Sequence, residues 1–105
     1  MDRENNEYEV SISDEATGML VSHARFLAQV SESAAIRLIN AFRESALSLK
    51  QFPERNPWLM EPLIPKRKYR KLLLEKRYLI IYQIKKMTVY IDAVVDTRQD
   101  YKWLL

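Results

Sequence analysis

The chain has 105 residues, of which 48% are hydrophobic and 30% are charged, and its formal net charge is +3. That length allows one domain with a single core, and the composition excludes intrinsic disorder. With no cysteine and one histidine, the sequence offers neither a disulfide framework nor a dedicated zinc site. It has no apolar signal segment and no apolar run of membrane-spanning length, so we expect a cytoplasmic protein without a membrane partner.

The charge is divided unevenly along the chain. Residues 1–52 contain five basic and eight acidic residues, whereas residues 53–105 contain twelve basic and six acidic residues. Seven basic residues lie between Lys66 and Arg77, where the only acidic residue is Glu75. This asymmetry indicates an anionic partner for one face, although a solvated basic rim would have the same composition.

The first half of the chain predicts a strand followed by two helices. Residues 1–7 form an N-terminal extension, and the alternation of Tyr8–Ile12 predicts a short strand. Ser13 has the character of a helix N-cap, and Ser31 or Ser33 begins a second helical pattern. The first apolar stripe contains Ala16, Met19, Leu20, Leu27 and Val30, and the second contains Ala35, Leu38, Ile39, Phe42, Ala46 and Leu49. The short join between them predicts an antiparallel helical hairpin.

A proline-rich loop, residues 51–67, separates the helices from the rest of the chain. It contains all four prolines of the sequence, which excludes a helix or a central strand. Loops of this length are uncommon unless they cover a core or a site. We therefore expect Trp58, Leu59 and Met60 to pack onto the sheet.

Three strands follow the loop, at Tyr69–Leu74, Tyr78–Lys85 and Thr88–Val95. Their tight connections predict an antiparallel meander. The last strand alternates, with Val89, Ile91, Ala93 and Val95 on one face. The predicted fold is α+β, with the order β-α-α-β-β-β in a single domain spanning 1–105. The helical hairpin packs on one face of a mainly antiparallel sheet, and the opposite face is expected to be partly open and polar.

Basic residues and tyrosines recur on these strands. Arg98 follows the last strand, within reach of neighbouring strands that carry Arg70, Lys71, Lys76 and Arg77. Arginines on a sheet surface with interleaved tyrosines suit nucleic acid, because guanidinium groups bind phosphates and rings stack on unpaired bases. The tyrosines concerned are Tyr69, Tyr82, Tyr90 and Tyr101. His23 lies beside the helical stripe, so we expect a packed or half-exposed histidine and not a catalyst.

The sequence resembles the RelE/ParE superfamily, the toxins of bacterial type II toxin–antitoxin pairs. The resemblance covers roughly residues 8–101 and rests on element order, on the segments SDEA, SLKQFP, YRKLLLEKRYLIIYQI and VYIDAVVDTRQDY, and on the arginine after the last strand. It implies the fold above, a cognate antitoxin, no cofactor, and one of two targets. RelE-like members cut mRNA on the ribosome without a metal, whereas ParE-like members inhibit DNA gyrase and are not themselves enzymes.

The resemblance also implies roles for individual residues. Arg70 and Arg98 would stabilise charge, since arginine stays protonated. Arg77 is a further catalytic candidate, two residues before the position of the family's next arginine and on the same side of the strand. Lys71 would be the general base, because neighbouring positive charges favour the neutral amine, and Tyr101 would stack or donate a proton. The residues expected to bind the nucleic acid or target are Lys66, Arg67, Lys68, Tyr69 and Lys76.

Two departures from the RelE pattern leave the target open. Leu72 occupies the position of the second RelE lysine, and Leu79 occupies that of an arginine. The helix ending SLKQFP is more similar to the ParE branch. A non-toxic, basic nucleic-acid-binding module is the alternative from another class. Arg98 would also be explained by pairing with Asp96 or Asp100, and the terminal aromatics by packing.

Overall fold

A computed structural model of the protein describes residues 7–98. In chain order it contains β1 (Glu9–Ile12), α1 (Asp14–Ala28), α2 (Glu32–Ser48), β2 (Arg70–Leu74), β3 (Tyr78–Lys85) and β4 (Thr88–Asp96). A short 3-10 turn, Pro53–Arg55, follows α2. The predicted α+β order is confirmed, and the strand ends differ from the prediction by at most one residue.

The two helices begin at serine caps. The Ser13 hydroxyl accepts a hydrogen bond from the Ala16 amide, and the Ser31 hydroxyl accepts one from the Ala34 amide. Ser31, and not Ser33, is therefore the cap of α2. Both apolar stripes face the sheet, except that Val30 lies beyond the end of α1 and is 86% exposed. No helix in the described part of the chain is long and apolar enough to cross a membrane.

The sheet has the strand order β1-β4-β3-β2. Strands β2, β3 and β4 form the predicted antiparallel meander, and β1 joins its edge parallel to β4. Between the helices and the sheet lies the main core, whose largest fully buried side chain is Tyr82. The short β1 then leads directly into α1, which packs against β4.

A β-bulge at Asp92 changes the faces of β4. Ala93 is paired with Ile81 and Ile91 with Tyr82, which leaves Asp92 as an extra residue between them. Val89 and Ile91 therefore lie in the helix-side core, whereas Ala93 and Val95 lie on the opposite face. The prediction that these four residues share one face is wrong, because an extra residue reverses the alternation that follows it.

The sequence predicts that the opposite face of the sheet is partly open and polar, but part of that face carries a second apolar core. A second core, beneath the proline-rich loop, buries Leu79, Ile81, Ala93 and Val95 together with three residues from the segment that precedes β2, namely Leu59, Ile64 and Tyr69. Leu59 is 1% exposed, so it packs as expected, but Met60 is 61% exposed and does not. The bulge explains this second core, because it turns aliphatic side chains of β4 toward the loop.

Candidate functional site

Two of the predicted site residues, Arg77 and Arg98, meet at the end of the sheet where β3 begins and β4 ends. In the antiparallel register Tyr78 lies opposite Asp96. The Thr97 amide donates to the Arg77 carbonyl at 2.8 Å, which extends the pairing beyond the strands. This pairing brings Arg77, just before Tyr78, and Arg98, two residues after Asp96, to the same corner of the sheet.

Asp96 holds the two guanidinium groups together. Arg77 Nε donates to Oδ2 at 3.3 Å, and Arg98 donates through Nη2 to Oδ2 at 3.1 Å and through Nε to Oδ1 at 3.2 Å. The Arg98 backbone amide also donates to Oδ1, at 2.9 Å. We call Arg77, Asp96 and Arg98 the arginine pair site. One carboxylate against two guanidinium groups leaves a local charge of about +1, which favours an anion or a carbonyl from another molecule.

The arginine pair site is accessible, and it lies above packed aromatic rings. The side chains of Arg98 and Arg77 are 70% and 41% exposed, whereas that of Asp96 is 15% exposed. Below them, burial raises the pKa of the Tyr78 hydroxyl above its ordinary value of 10.0, in opposition to the nearby Arg77 charge. The His23 ring lies 4.9 Å from the Tyr78 ring, and its Nε2 donates to the Val94 carbonyl at 2.8 Å. His23 is therefore the packed histidine that the sequence predicts.

Arg70 lies elsewhere, and its side chain holds the proline-rich loop. Its Nη1 donates to the carbonyls of Glu54 and Asn56 at 3.0 and 2.7 Å, and its guanidinium carbon lies 3.7 Å from the centre of the Trp58 ring. The same loop is held by the buried Tyr82 hydroxyl, which donates to the Pro53 carbonyl at 2.6 Å. We call Arg70 and Tyr82 the loop clamp.

The other predicted basic residues are spread over the loop and the sheet. Lys66, Arg67 and Lys68 are exposed in the loop, with the Lys68 amine 5.2 Å from the centre of the buried Tyr69 ring. Lys76 is exposed in the β2–β3 turn, where its φ of 61° is left-handed. The predicted role of Tyr101 lies outside the described residues.

The structure therefore does not gather the predicted catalytic residues at one place. Arg70 is paired with Tyr82, and Leu74 with Tyr78, so four residues of β2 separate Arg70 from the arginine pair site, about 13 Å along the strand. Lys71 is paired with Ile81 and points to the opposite face from Arg70. The roles assigned to these residues stay predictions, but of the candidates within residues 7–98 only Arg77 and Arg98 are close enough to act on one group.

Asp96 was predicted only as an alternative partner of Arg98, with no part in a site. The available signal was its position at the end of the last strand, two residues before Arg98, in register with the start of β3. The loop clamp was missed because the contacts of Arg70 come from residues 14 and 16 positions earlier in the chain. Within residues 7–98, no group of three or more histidine, aspartate or glutamate residues is placed to hold a metal ion.

One protein family matches most of the sequence. The model of that family, the ParE toxin of the type II toxin–antitoxin system parDE, matches residues 10–101. The chain belongs to the ParE toxin family. The predicted superfamily is thereby confirmed, and the branch is the one that the SLKQFP helix end favours. Membership of a toxin–antitoxin family implies an antitoxin as the partner of this ParE-family chain.

A solved structure supports the fold of this ParE-family chain. The chromosomal ParDE TA system from P. aeruginosa contains a chain that superposes with a TM-score of 0.69 and 14% sequence identity. The match covers 87% of this chain and 97% of the other. At that identity the likeness speaks for the fold alone. A sequence search of curated proteins finds no significant match.

Proposed function

We propose that this chain arrests bacterial growth in the cytoplasm by binding DNA gyrase, and that a cognate antitoxin neutralises it. The observation that carries the proposal is the match to the ParE toxin family along residues 10–101. The ParE branch is the one whose members inhibit gyrase. We infer that the arginine pair site contacts an anionic or carbonyl group of the target.

The geometry favours target binding over RNA cleavage. Cleavage by a ribose hydroxyl needs a proton acceptor within hydrogen-bond reach of that hydroxyl, beside the cations that stabilise the phosphate. Beside Arg77 and Arg98 the carboxylate of Asp96 already accepts hydrogen bonds on both of its oxygens. Lys71, the predicted base, lies about 10 Å away along β2, since three residues separate it from Leu74. Because the Asp96 carboxylate is occupied and Lys71 is distant, the arginine pair site suits binding and not proton transfer.

The test combines inducible expression with two assays of the target. We expect growth arrest in a bacterial host, induction of a DNA-damage reporter with transcripts left intact, and inhibition of supercoiling by purified gyrase. Transcripts cut at fixed codon positions would support ribosome-dependent mRNA cleavage instead. Normal growth together with binding to nucleic acid would support the non-toxic module.

The role of the arginine pair site is tested with paired substitutions. Arg77→Gln with Arg98→Gln should abolish arrest and reduce gyrase inhibition by about tenfold or more, because arginine is enriched among the few interface residues that carry most of the binding energy. The matched control is Lys85→Gln with Lys86→Gln, which removes two exposed cations from the β3–β4 turn at the other end of the sheet. It should arrest growth like the wild type.

A well-folded Arg77→Gln, Arg98→Gln variant that still kills would refute this site. Folding is checked by circular dichroism, because Asp96 loses two partners in that variant. Should the double variant prove unstable, Arg98→Gln alone leaves Arg77 on Asp96 and gives the same readout.

A further inference from the structure

Three consecutive cations project from the proline-rich loop just before β2. Lys66, Arg67 and Lys68 are all exposed, and the sequence has no acidic residue between Ile64 and Leu74. We call these three residues the basic turn. No ion pair with the described residues, 7–98, involves any of them. Their charge is therefore not neutralised by this part of the chain, and it attracts an anionic partner.

The basic turn is anchored on both sides. Ile64 and Tyr69, which flank it, are each 6% exposed and belong to the second core beneath the loop. The Lys68 amine also lies 5.2 Å from the centre of the Tyr69 ring. Because the backbone of the turn is fixed before a partner arrives, binding through it loses less conformational freedom than binding through a loose loop.

Arg67 has a backbone conformation that does not suit an arginine. Its φ is 59°, in the left-handed region that glycine or asparagine prefers in turns. Lys76 and Lys86 have φ values of 61° and 56°, but they lie in the short turns of the two β-hairpins, where the twist of the strands requires such values. The turn at Arg67 joins no two adjacent strands of the sheet. An arginine kept where glycine is preferred indicates a use for its side chain.

The composition of the basic turn fits the phosphate backbone of duplex DNA. Lysine is depleted in the core of protein interfaces, whereas lysine and arginine both bind phosphates through their charge. Single-stranded nucleic acid is bound largely by stacking its bases on exposed aromatic rings. Of the aromatic residues nearest in sequence, Tyr69 is buried, and one face of the Trp58 ring is covered by the Arg70 guanidinium at 3.7 Å. Cations without a stacking ring therefore favour the duplex.

We propose that the basic turn binds the phosphate backbone of the duplex DNA that gyrase holds. Arg70 begins β2 about 13 Å from the arginine pair site, and the basic turn precedes Arg70. The arginine pair site and the basic turn are thus far enough apart to contact two different groups, one on gyrase and one on its DNA. The proposal rests on the proposed function for gyrase, but DNA binding by the isolated chain is measured without it.

Two pairs of lysines test the contact with DNA. Lys66→Gln with Lys68→Gln removes two cations of the basic turn, and the control, Lys85→Gln with Lys86→Gln, removes two exposed lysines from the β3–β4 turn. The probe is a short labelled DNA duplex of mixed sequence. Its affinity for the isolated chain is measured by fluorescence anisotropy over a series of salt concentrations.

The expected result is a change in salt dependence. Each phosphate contact contributes about 0.9 to the slope of log K against log salt. The basic turn variant should therefore lose about 1.8 of the wild-type slope, so that its affinity changes roughly 12-fold less between about 50 and 200 mM salt. The control variant should keep the wild-type slope.

A second pair of variants separates the charge of Arg67 from its conformation. Arg67→Gly and Lys86→Gly each remove a cation from a left-handed position. Neither should lower the melting temperature, since glycine suits that conformation. Only Arg67→Gly should reduce the salt slope, by about 0.9. A structural arginine would give the opposite pattern, a lower melting temperature with DNA binding unaltered.

The complex with gyrase tests which DNA the basic turn contacts. The wild-type chain should bind purified gyrase at least about tenfold more tightly when the enzyme holds duplex DNA, because a second contact within one assembly adds to the affinity of the first. The variant with Lys66→Gln and Lys68→Gln should bind gyrase without DNA like the wild type and should lose that increase.

Several results would overturn the proposal. One is an unchanged salt slope for the basic turn variant or for Arg67→Gly, and another is a gyrase affinity that does not depend on DNA. Tighter binding of the single strand than of the duplex would overturn the choice of duplex DNA. If the basic turn variant binds labelled poly-glutamate more weakly but DNA like the wild type, the partner is an acidic protein surface. If the wild-type chain neither arrests growth nor binds gyrase, the proposed function fails, but the salt slopes still decide whether the basic turn binds DNA.

Discussion

Replacing Arg70 with methionine should destabilise the protein and leave its toxicity intact. The substitution removes the guanidinium of the loop clamp and keeps an unbranched aliphatic chain against Trp58. The two carbonyls that it releases belong to Glu54 and Asn56. Without those bonds the proline-rich loop keeps Tyr82 as its other clamp residue.

The expected loss follows from the contacts of Arg70. Hydrogen bonds from charged groups contribute about 1.5–3 kcal/mol each, and a partly exposed cation–π contact contributes about 0.5–1 kcal/mol. Arg70 is half-buried, so water replaces part of what is lost. We therefore expect Arg70→Met to lower the free energy of unfolding by about 2–3 kcal/mol, which is roughly 10–20 °C in melting temperature for a domain of this size.

Thermal and urea unfolding, followed by circular dichroism, measure this loss. Arg37→Met is the control, because its 3.9 Å ion pair with Glu75 is exposed and should change the stability by less than about 0.5 kcal/mol. In a double-mutant cycle with Tyr82→Phe, the two changes should couple by at least about 0.5 kcal/mol, since both residues hold the same loop.

The growth assay completes the test of Arg70. At a temperature where Arg70→Met is folded, it should arrest growth like the wild type. Arg70→Met would refute the loop clamp if its free energy of unfolding lies within about 0.5 kcal/mol of the wild type and it nevertheless loses toxicity. That result would return Arg70 to a functional site.

Two further predictions concern stability. Gly18→Ala, in the second turn of α1, should raise the free energy of unfolding by about 1 kcal/mol, because a Cβ there meets no atom within 4 Å. An unchanged or lower urea midpoint would contradict this. The Tyr8 hydroxyl donates to Glu54 Oε2 at 2.5 Å, which lowers the pKa of the Glu54 carboxyl below 4.5 and raises the pKa of Tyr8 above 10.0. The wild type should therefore be more stable than Tyr8→Phe between these two pH values, and the difference should shrink as the pH falls below 4.5 or rises above 10.0. A stability difference independent of pH, measured by thermal unfolding in a buffer series, would show that this hydrogen bond does not form.

The order of elements could be predicted because the apolar residues recur regularly at helical and strand spacing. The stripe through Leu38, Phe42 and Ala46 and the alternation of β3 each allow one orientation against a core. The parallel position of β1 beside β4 was not predicted, since a four-residue strand has no intrinsic signal for its partner.

The bulge and the clamp could not be predicted from the sequence. The residue types of β4 contain no signal for a bulge at Asp92, because the bulge depends on the register between β3 and β4. The sequence pattern therefore placed Ala93 and Val95 on the wrong face and did not predict their part in the second core. The same limit applies to Arg70, which looks like a surface cation until the loop carbonyls that it binds are known.

The parallel pairing of β1 with β4 has a consequence for synthesis of the protein. Glu9 has Thr88 as its partner, so β1, the first strand to be synthesised, cannot pair until β4, the last strand, has left the ribosome. Pairings this distant in sequence are intrinsically slow to form. A nascent chain that ends before β4 lacks the neighbour of β1 and the end of the sheet that carries Asp96. Interrupted translation of this toxin before β4 therefore yields fragments without the arginine pair site.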